Sequence, residues 1–161
     1  ESKDRQPVIK KLSCSARRTL ESRRQARERA LQVLFQVDLG GVDPRKAMQD
    51  MDENFGHLPK NADFAERIVF GTLSNLELID QVIASISKEW DLKRMASVDR
   101  NIMRLALYEI LFCRDIPGNV SVNEAVELGK VFGGEDSGRF INGILGKVLE
   151  NPEEYRTQPL N

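Results

Sequence analysis

An all-α fold is predicted by three features of this 161-residue chain. Apolar residues recur at three- and four-residue steps in nearly every segment, glycine and proline punctuate those segments at helix-like lengths, and no run alternates apolar and polar as a half-buried strand would. With 40% hydrophobic residues the chain is long enough to bury a core without disulfides or metals.

The predicted elements follow in order. Residues 1–21 mix charge with Pro7 and read as a flexible basic extension. From Arg17 or Ser22 to Leu39, Ala26, Ala30, Val33, Leu34 and Val37 mark a helix that Gly40-Gly41 stops. Asp43-Pro44 is an N-cap followed by proline at the first helical position, and Met48, Met51 and Phe55 give the next helix one apolar stripe. The period carried by Phe64, Ile68, Val69, Ile79, Val82 and Ile83 runs on to Trp90, as one long helix or as two broken near Ser74-Asn75. Ser97 is placed to cap a helix with little polar face, which should be central and buried. After the Asp115–Gly118 turn, Ser121-Val122-Asn123-Glu124 reads as a capping box for a helix closed by Gly133-Gly134. Asp136 or Ser137 starts the last long helix, which Asn151-Pro152 ends before a 151–161 tail.

Net charge is -1 overall, but residues 1–30 carry +6 and the remainder -7. A basic start on an acidic body suggests a polyanion site at one end. The two cysteines, Cys14 and Cys113, are far apart, so neither a disulfide framework nor a zinc site is suggested, and a reducing, cytoplasmic setting fits. No apolar run is long enough to span a bilayer. Enzymatic readings fare poorly: the single histidine, His57, stands in a loop without a nucleophile motif, and no phosphate loop or dinucleotide fingerprint occurs. Asp99, Glu109, Glu124 and Glu127 read most simply as solvated faces or partner contacts, and Gly143-Ile144-Leu145-Gly146 as close helix packing. No catalytic residue, cofactor or metal site is expected.

Two clusters stand out. On a helical wheel Arg24, Arg27, Leu31 and Phe35 lie to one side of the core stripe, which puts guanidinium groups and a ring on a surface of their own. Arginine suits nucleic acid because its fork binds phosphate bidentately or stacks on a base. The alternative is a solvated face paired locally with Glu21 and Glu28. The second cluster, Phe132-Gly133-Gly134-Glu135-Asp136-Ser137-Gly138-Arg139-Phe140, is a glycine-rich corner whose rings either hold unstacked bases or close a helix pair as core.

The same stretch carries a resemblance. A proline turn, an N-E-A-x-E-L-x-K helix over 123–130, an F-G-x-E-x-S corner over 132–137 and an F-x-N-G-x-L helix over 140–145 together resemble the NusB transcription antitermination family. Arg23 to Glu28 with Leu31 to Phe35 resembles that family's opening helix, and Arg104 to Ile110 its central one. The likeness covers about residues 22–150. It implies seven helices in two packed bundles, no catalysis, and recognition of boxA-type single-stranded RNA together with NusE, a small-subunit ribosomal protein, in an antitermination complex on RNA polymerase. By position it implies RNA contacts at Arg23, Arg24, Arg27, Phe35, Phe132, Asp136 and Phe140, and a NusE-facing position at Asp99. Residue 35 is Phe where the family often has Tyr, and residues 1–21 exceed the usual start. Some relatives pair as homodimers over the basic helix. The alternatives are a helical accessory domain of an RNA methyltransferase and a homodimeric scaffold without an RNA role.

Overall fold

The computed structural model describes residues 14–58 and 60–156, with the side chains of 14–21 left undescribed. Eight α-helices and no strand occur among these residues. They are α1 (Cys14–Gly40), α2 (Pro44–Phe55), α3 (Ala62–Ser74), α4 (Leu76–Ile86), α5 (Ser97–Phe112), α6 (Gly118–Phe132), α7 (Ser137–Glu150) and a short α8 (Pro152–Arg156). A single 3-10 turn, Leu92–Arg94, joins α4 to α5. The all-α expectation holds. One buried apolar cluster runs from Ala26 to Val148 through all seven long helices, so removing that surface from water is what holds the helices together.

Helix α1 packs on α2, α3 and α5, while α5 also meets α4, α6 and α7. As expected, α5 is central: Ile102, Met103, Leu105, Ala106 and Leu107 are all buried. The α6–α7 pair is the most closely packed, and Gly129 permits it, since a Cβ there would stand 2.7 Å from the Ile141 Cδ1. The helix predicted from Arg17 or Ser22 opens earlier, at Cys14, so residues 14–21 of the expected flexible extension are helical; residues 1–13 lie outside the described residues. Of the 151–161 tail, Pro152–Arg156 form α8, docked where Arg156 donates to the carbonyls of Leu111 and Ile110 at 2.8 Å.

Several local expectations are corrected. The Asp43 carboxylate caps α2 through the Lys46 amide at 3.1 Å as predicted, but Phe55, the last residue of the stripe, is 72% exposed. It sits where Gly56 turns the chain at φ 83° and leaves the core behind. The long apolar period is two helices, divided where Asn75 donates from its side chain to the Gly71 carbonyl at 2.8 Å, and the second ends at Ile86, which leaves Trp90 exposed. Ser97 is the first residue of α5 rather than its cap. The expected capping box lies inside α6, which starts three residues earlier behind Pro117, because Ser121 and Glu124 are used in polar contacts with other helices. Gly143 and Gly146 have open space where a Cβ would go, so they are not close-packing residues.

Charged side chains tie the helices as well. Glu109 on α5 accepts from Arg27 Nε at 2.9 Å, from Arg27 Nη2 at 2.7 Å and from the Ser121 hydroxyl at 2.9 Å, with both charged residues only 1% exposed. Asp38, near the end of α1, accepts from Arg100 and Asn101, and Arg104 reaches both Asp38 and Asp80. Burial pushes the Asp38 carboxyl up, yet the hydrogen bonds from Arg100 and Asn101 and the nearby Arg104 and Arg100 charges outweigh it, so its pKa lies below the usual carboxylate value.

Two outcomes follow from these ion pairs. Arg27→Ala strands the Glu109 carboxylate and should cost about 3–5 kcal/mol in denaturant unfolding, whereas Arg27→Met with Glu109→Leu should recover most of that loss. A double variant as unstable as the single one would contradict this account. Because the folded Asp38 pKa is depressed, its contribution is present above the unfolded value and is lost as pH falls through the folded one. Wild type should therefore lose more stability than Asp38→Asn between about pH 6 and about pH 3, as read from paired denaturation curves.

Candidate nucleic-acid and partner interface

The arginines of α1 are arranged by the carboxylates of other helices. Helix α1 is covered on more than one side, so the face predicted to stand apart from the core is partly inside it: Leu31 is buried and Arg27 is fully so. These arginines pair across helices, Arg24 with Glu124, Arg27 with Glu109 and Arg29 with Asp52. Asp99, Glu109 and Glu124, expected on solvated faces or at partner contacts, are buried, while Glu127 is half-buried beside Lys130.

Arg23 keeps part of its surface open, and its guanidinium lies 4.7 Å from the centroid of the Phe64 ring, a cation–π stack on α3 that Arg27 shares at 5.2 Å. Its Nε and the Arg27 Nη1 are buried and make no hydrogen bond to a described residue. Asp115 lies near this end: its hydrogen bonds from Arg67, at 2.8 and 3.2 Å, and the Arg67 and Arg23 charges hold its carboxyl below the usual range. Arg24 is also partly open, with its Nε hydrogen-bonded to both Glu124 oxygens at 3.0 and 2.9 Å.

From Arg24 onward a seam follows α1 along α6. Its charged start is lined by Arg24, Arg27, Glu28, Glu124, Glu127, Leu128 and Val131. One turn further it opens into a groove of 420 Å³, bounded by Leu31, Phe35, Met51, Phe55, Val98 and Phe132 together with the stems of Gln32 and Gln36. Three aromatic rings from three helices thus face one groove whose walls are almost wholly apolar. Phe132 keeps 39% of its surface open there. Asp99 follows Val98 at the first turn of α5, and its Oδ1 is buried without a hydrogen-bond partner among the described residues.

Of the two predicted clusters, the structure brings Leu31, Phe35 and Phe132 to the same groove, which Arg24, Arg27, Asp136 and Phe140 do not line. Phe140 is partly buried and packs against the core from α7. Asp136 is exposed at the residue before α7 and makes no side-chain cap there, since the Ser137 hydroxyl instead accepts from the Gly134 amide at 2.8 Å. Sequence reasoning missed Phe55 and Val98 as groove residues and Glu124 as the partner of Arg24. Phe55 alone carried a signal, as a large apolar residue directly before the glycine that ends its helix. His57 is exposed in its loop, as expected, 3.2 Å from Asp52.

Comparison with known proteins agrees with the fold. The model of the NusB family matches residues 24–150. A transcription antitermination protein NusB of Pelotomaculum thermopropionicum is 69% identical over 135 residues, which cover 84% of this chain and 94% of that protein. The solved NusB of T. maritima superposes with a TM-score of 0.73 at 37% identity, covering 83% of this chain and 95% of that one. A solved complex of the antitermination factors NusB and NusE with double-stranded RNA superposes with a TM-score of 0.73 at 28% identity, covering 81% and 97%.

The burial pattern of the corner aromatics predicts how they respond to truncation. Phe140→Ala should destabilise the protein by roughly 3 kcal/mol and Phe132→Ala by about 1 kcal/mol, because only the former removes a ring packed on the core. Thermal melts of the two variants showing the reverse order would overturn this assignment.

Proposed function

Since the chain belongs to the NusB family, we propose that it is an RNA-binding transcription antitermination factor that acts by binding rather than catalysis, in the cytoplasm, on nascent RNA held together with NusE in a complex on RNA polymerase. The observation that carries this reading is the α1–α6 seam, which holds the Arg24 guanidinium beside Glu124 at one end and an apolar groove at the other. Such a pairing suits a partner of two chemistries. The phosphates of RNA are taken by Arg23 and Arg24, which are partly open on α1, while Asp136 and Phe140 at the glycine-rich corner are the further RNA positions that the family resemblance implies. A boxA-type strand is the RNA that the family resemblance implies.

The groove is assigned to the protein partner. Walls of Phe35, Phe55, Phe132, Met51 and Val98 fit apolar side chains better than a phosphate-bearing strand, which moves Phe35 and Phe132 from an RNA role to a NusE role. Asp99 follows Val98 of the groove wall and is the acidic position that the family resemblance implies on the NusE side. Arg27 is assigned no RNA contact: at 1% exposure its guanidinium is committed to Glu109, and its part is to fix α1.

Fluorescence titrations with boxA-like single strands, the corresponding duplex and a scrambled strand test the RNA half. Affinity should fall with salt on a log–log slope of about -0.7 per neutralised phosphate on a single strand, and Arg23→Ala with Arg24→Ala should flatten it. An unchanged slope would remove α1 from the RNA site. Phe55→Asp and Phe132→Asp should weaken NusE binding by tenfold or more, on the order of 1.4 kcal/mol, and leave binding of RNA alone unaltered.

A further inference from the structure

Glu124 is an acid in an unexpected place, buried to 5% exposure on α6 at the edge of a surface read as anion-binding. Both of its oxygens accept from one donor, the Arg24 Nε. Glu28 and Glu127 line the same crevice, so a carboxylate-rich wall stands directly behind an arginine assigned to phosphate. By charge alone this wall opposes RNA, because a carboxylate beside a phosphate repels it. The geometry gives the opposite reading. A guanidinium has one Nε hydrogen and four Nη hydrogens in a rigid planar fork; fixing the Nε edge fixes the direction of the whole fork. Arg24 is 19% exposed along its side chain, and held this way it spends its inner donor on Glu124 and keeps its Nη edge for an incoming oxygen.

We propose that Glu124 is a positioning residue for RNA, whose buried carboxylate holds the Arg24 guanidinium in the orientation that phosphate binding requires. The proposal rests on the RNA reading above. Ordering a long cationic side chain before the ligand arrives lowers the entropy lost on binding. Glu124 is suited to this because α6 itself is anchored by its packing on α5 and α7 and by the Ser121 hydrogen bond to Glu109.

Positioning and repulsion predict opposite signs for one substitution. Glu124→Gln removes a negative charge next to the RNA site, so if repulsion governs, single-stranded RNA should bind more tightly. If positioning governs, the full-length protein should bind about two- to tenfold more weakly, and the same change in an Arg24→Ala background should cost nothing further. Glu127→Gln is the charge-matched control and should bind equally or more tightly. Glu124→Asp keeps the charge and withdraws it by one methylene, so it should weaken binding as Glu124→Gln does. Melting curves correct each affinity for the fraction folded. Tighter or unchanged binding by Glu124→Gln, or an equal loss without Arg24, overturns the proposal, and failure of both Glu124 variants to fold overturns it by showing a purely structural role. If Arg24→Ala binds as well as wild type while Arg23→Ala does not, positioning fails and the RNA reading survives. A wild-type protein that binds none of the RNAs ends both.

Discussion

The guanidinium of Arg27 and the carboxylate of Glu109 meet inside the protein, joined by two hydrogen bonds and by a third from the Ser121 hydroxyl. Removing two charges from water costs several kcal/mol each, and such a pair is tolerated only when its geometry is good and its remaining lone pairs are used. That requirement binds three helices at once. With α1, α5 and α6 each contributing one group, any slip of α1 along its neighbours would leave a buried charge unmatched, so the pair fixes register as apolar packing cannot. The apolar contacts of Ala26, Ala30, Val33 and Leu34 provide the attraction, and they tolerate small shifts far better than an ion pair does.

The register so fixed decides what the surface presents. With Arg27 turned inward, the residues three and four before it stay partly open: Arg24 beside Glu124, and Arg23 over the Phe64 ring. Past Arg27 on the same helix, Leu31 closes the core and, beyond it, Phe35 faces the groove. A single helix thus carries a charged contact and an apolar one in sequence, and α6 alongside it supplies the matching wall, from Glu124 through Val131 to Phe132. The same logic recurs at the far end of α1, where Asp38 gathers Arg100, Asn101 and Arg104, and Asp80 holds the other side of Arg104. Acidic residues scattered through an acidic body are in this way drawn into pairs with arginine, whose planar fork makes several bonds to each.

Much of this was legible in the sequence. The apolar periods of α1, α3, α4, α5 and α7 are strong because each of these helices buries a continuous stripe, and the Asp43-Pro44 cap and the break at Asn75 are local chemistry that needs no distant partner. The order of three motifs sufficed to place the chain in its family. Hidden from it was every contact made between helices by charged side chains. Glu109, Ser121 and Glu124 have the composition of an exposed face and a capping box, and only the neighbouring helices turn the two glutamates into buried acceptors and the Ser121 hydroxyl into a donor to one of them. A helical wheel measures one helix against one core; it assigned Arg27 and Leu31 to the surface because it cannot know that a second and third helix lie against that side. The groove is equally a product of tertiary structure, since Phe35, Phe55, Val98 and Phe132 come from four helices. Periodicity along a chain is set by local geometry and can be read from sequence, whereas the pairing of buried charges depends on which helices meet, and that is decided by packing the whole.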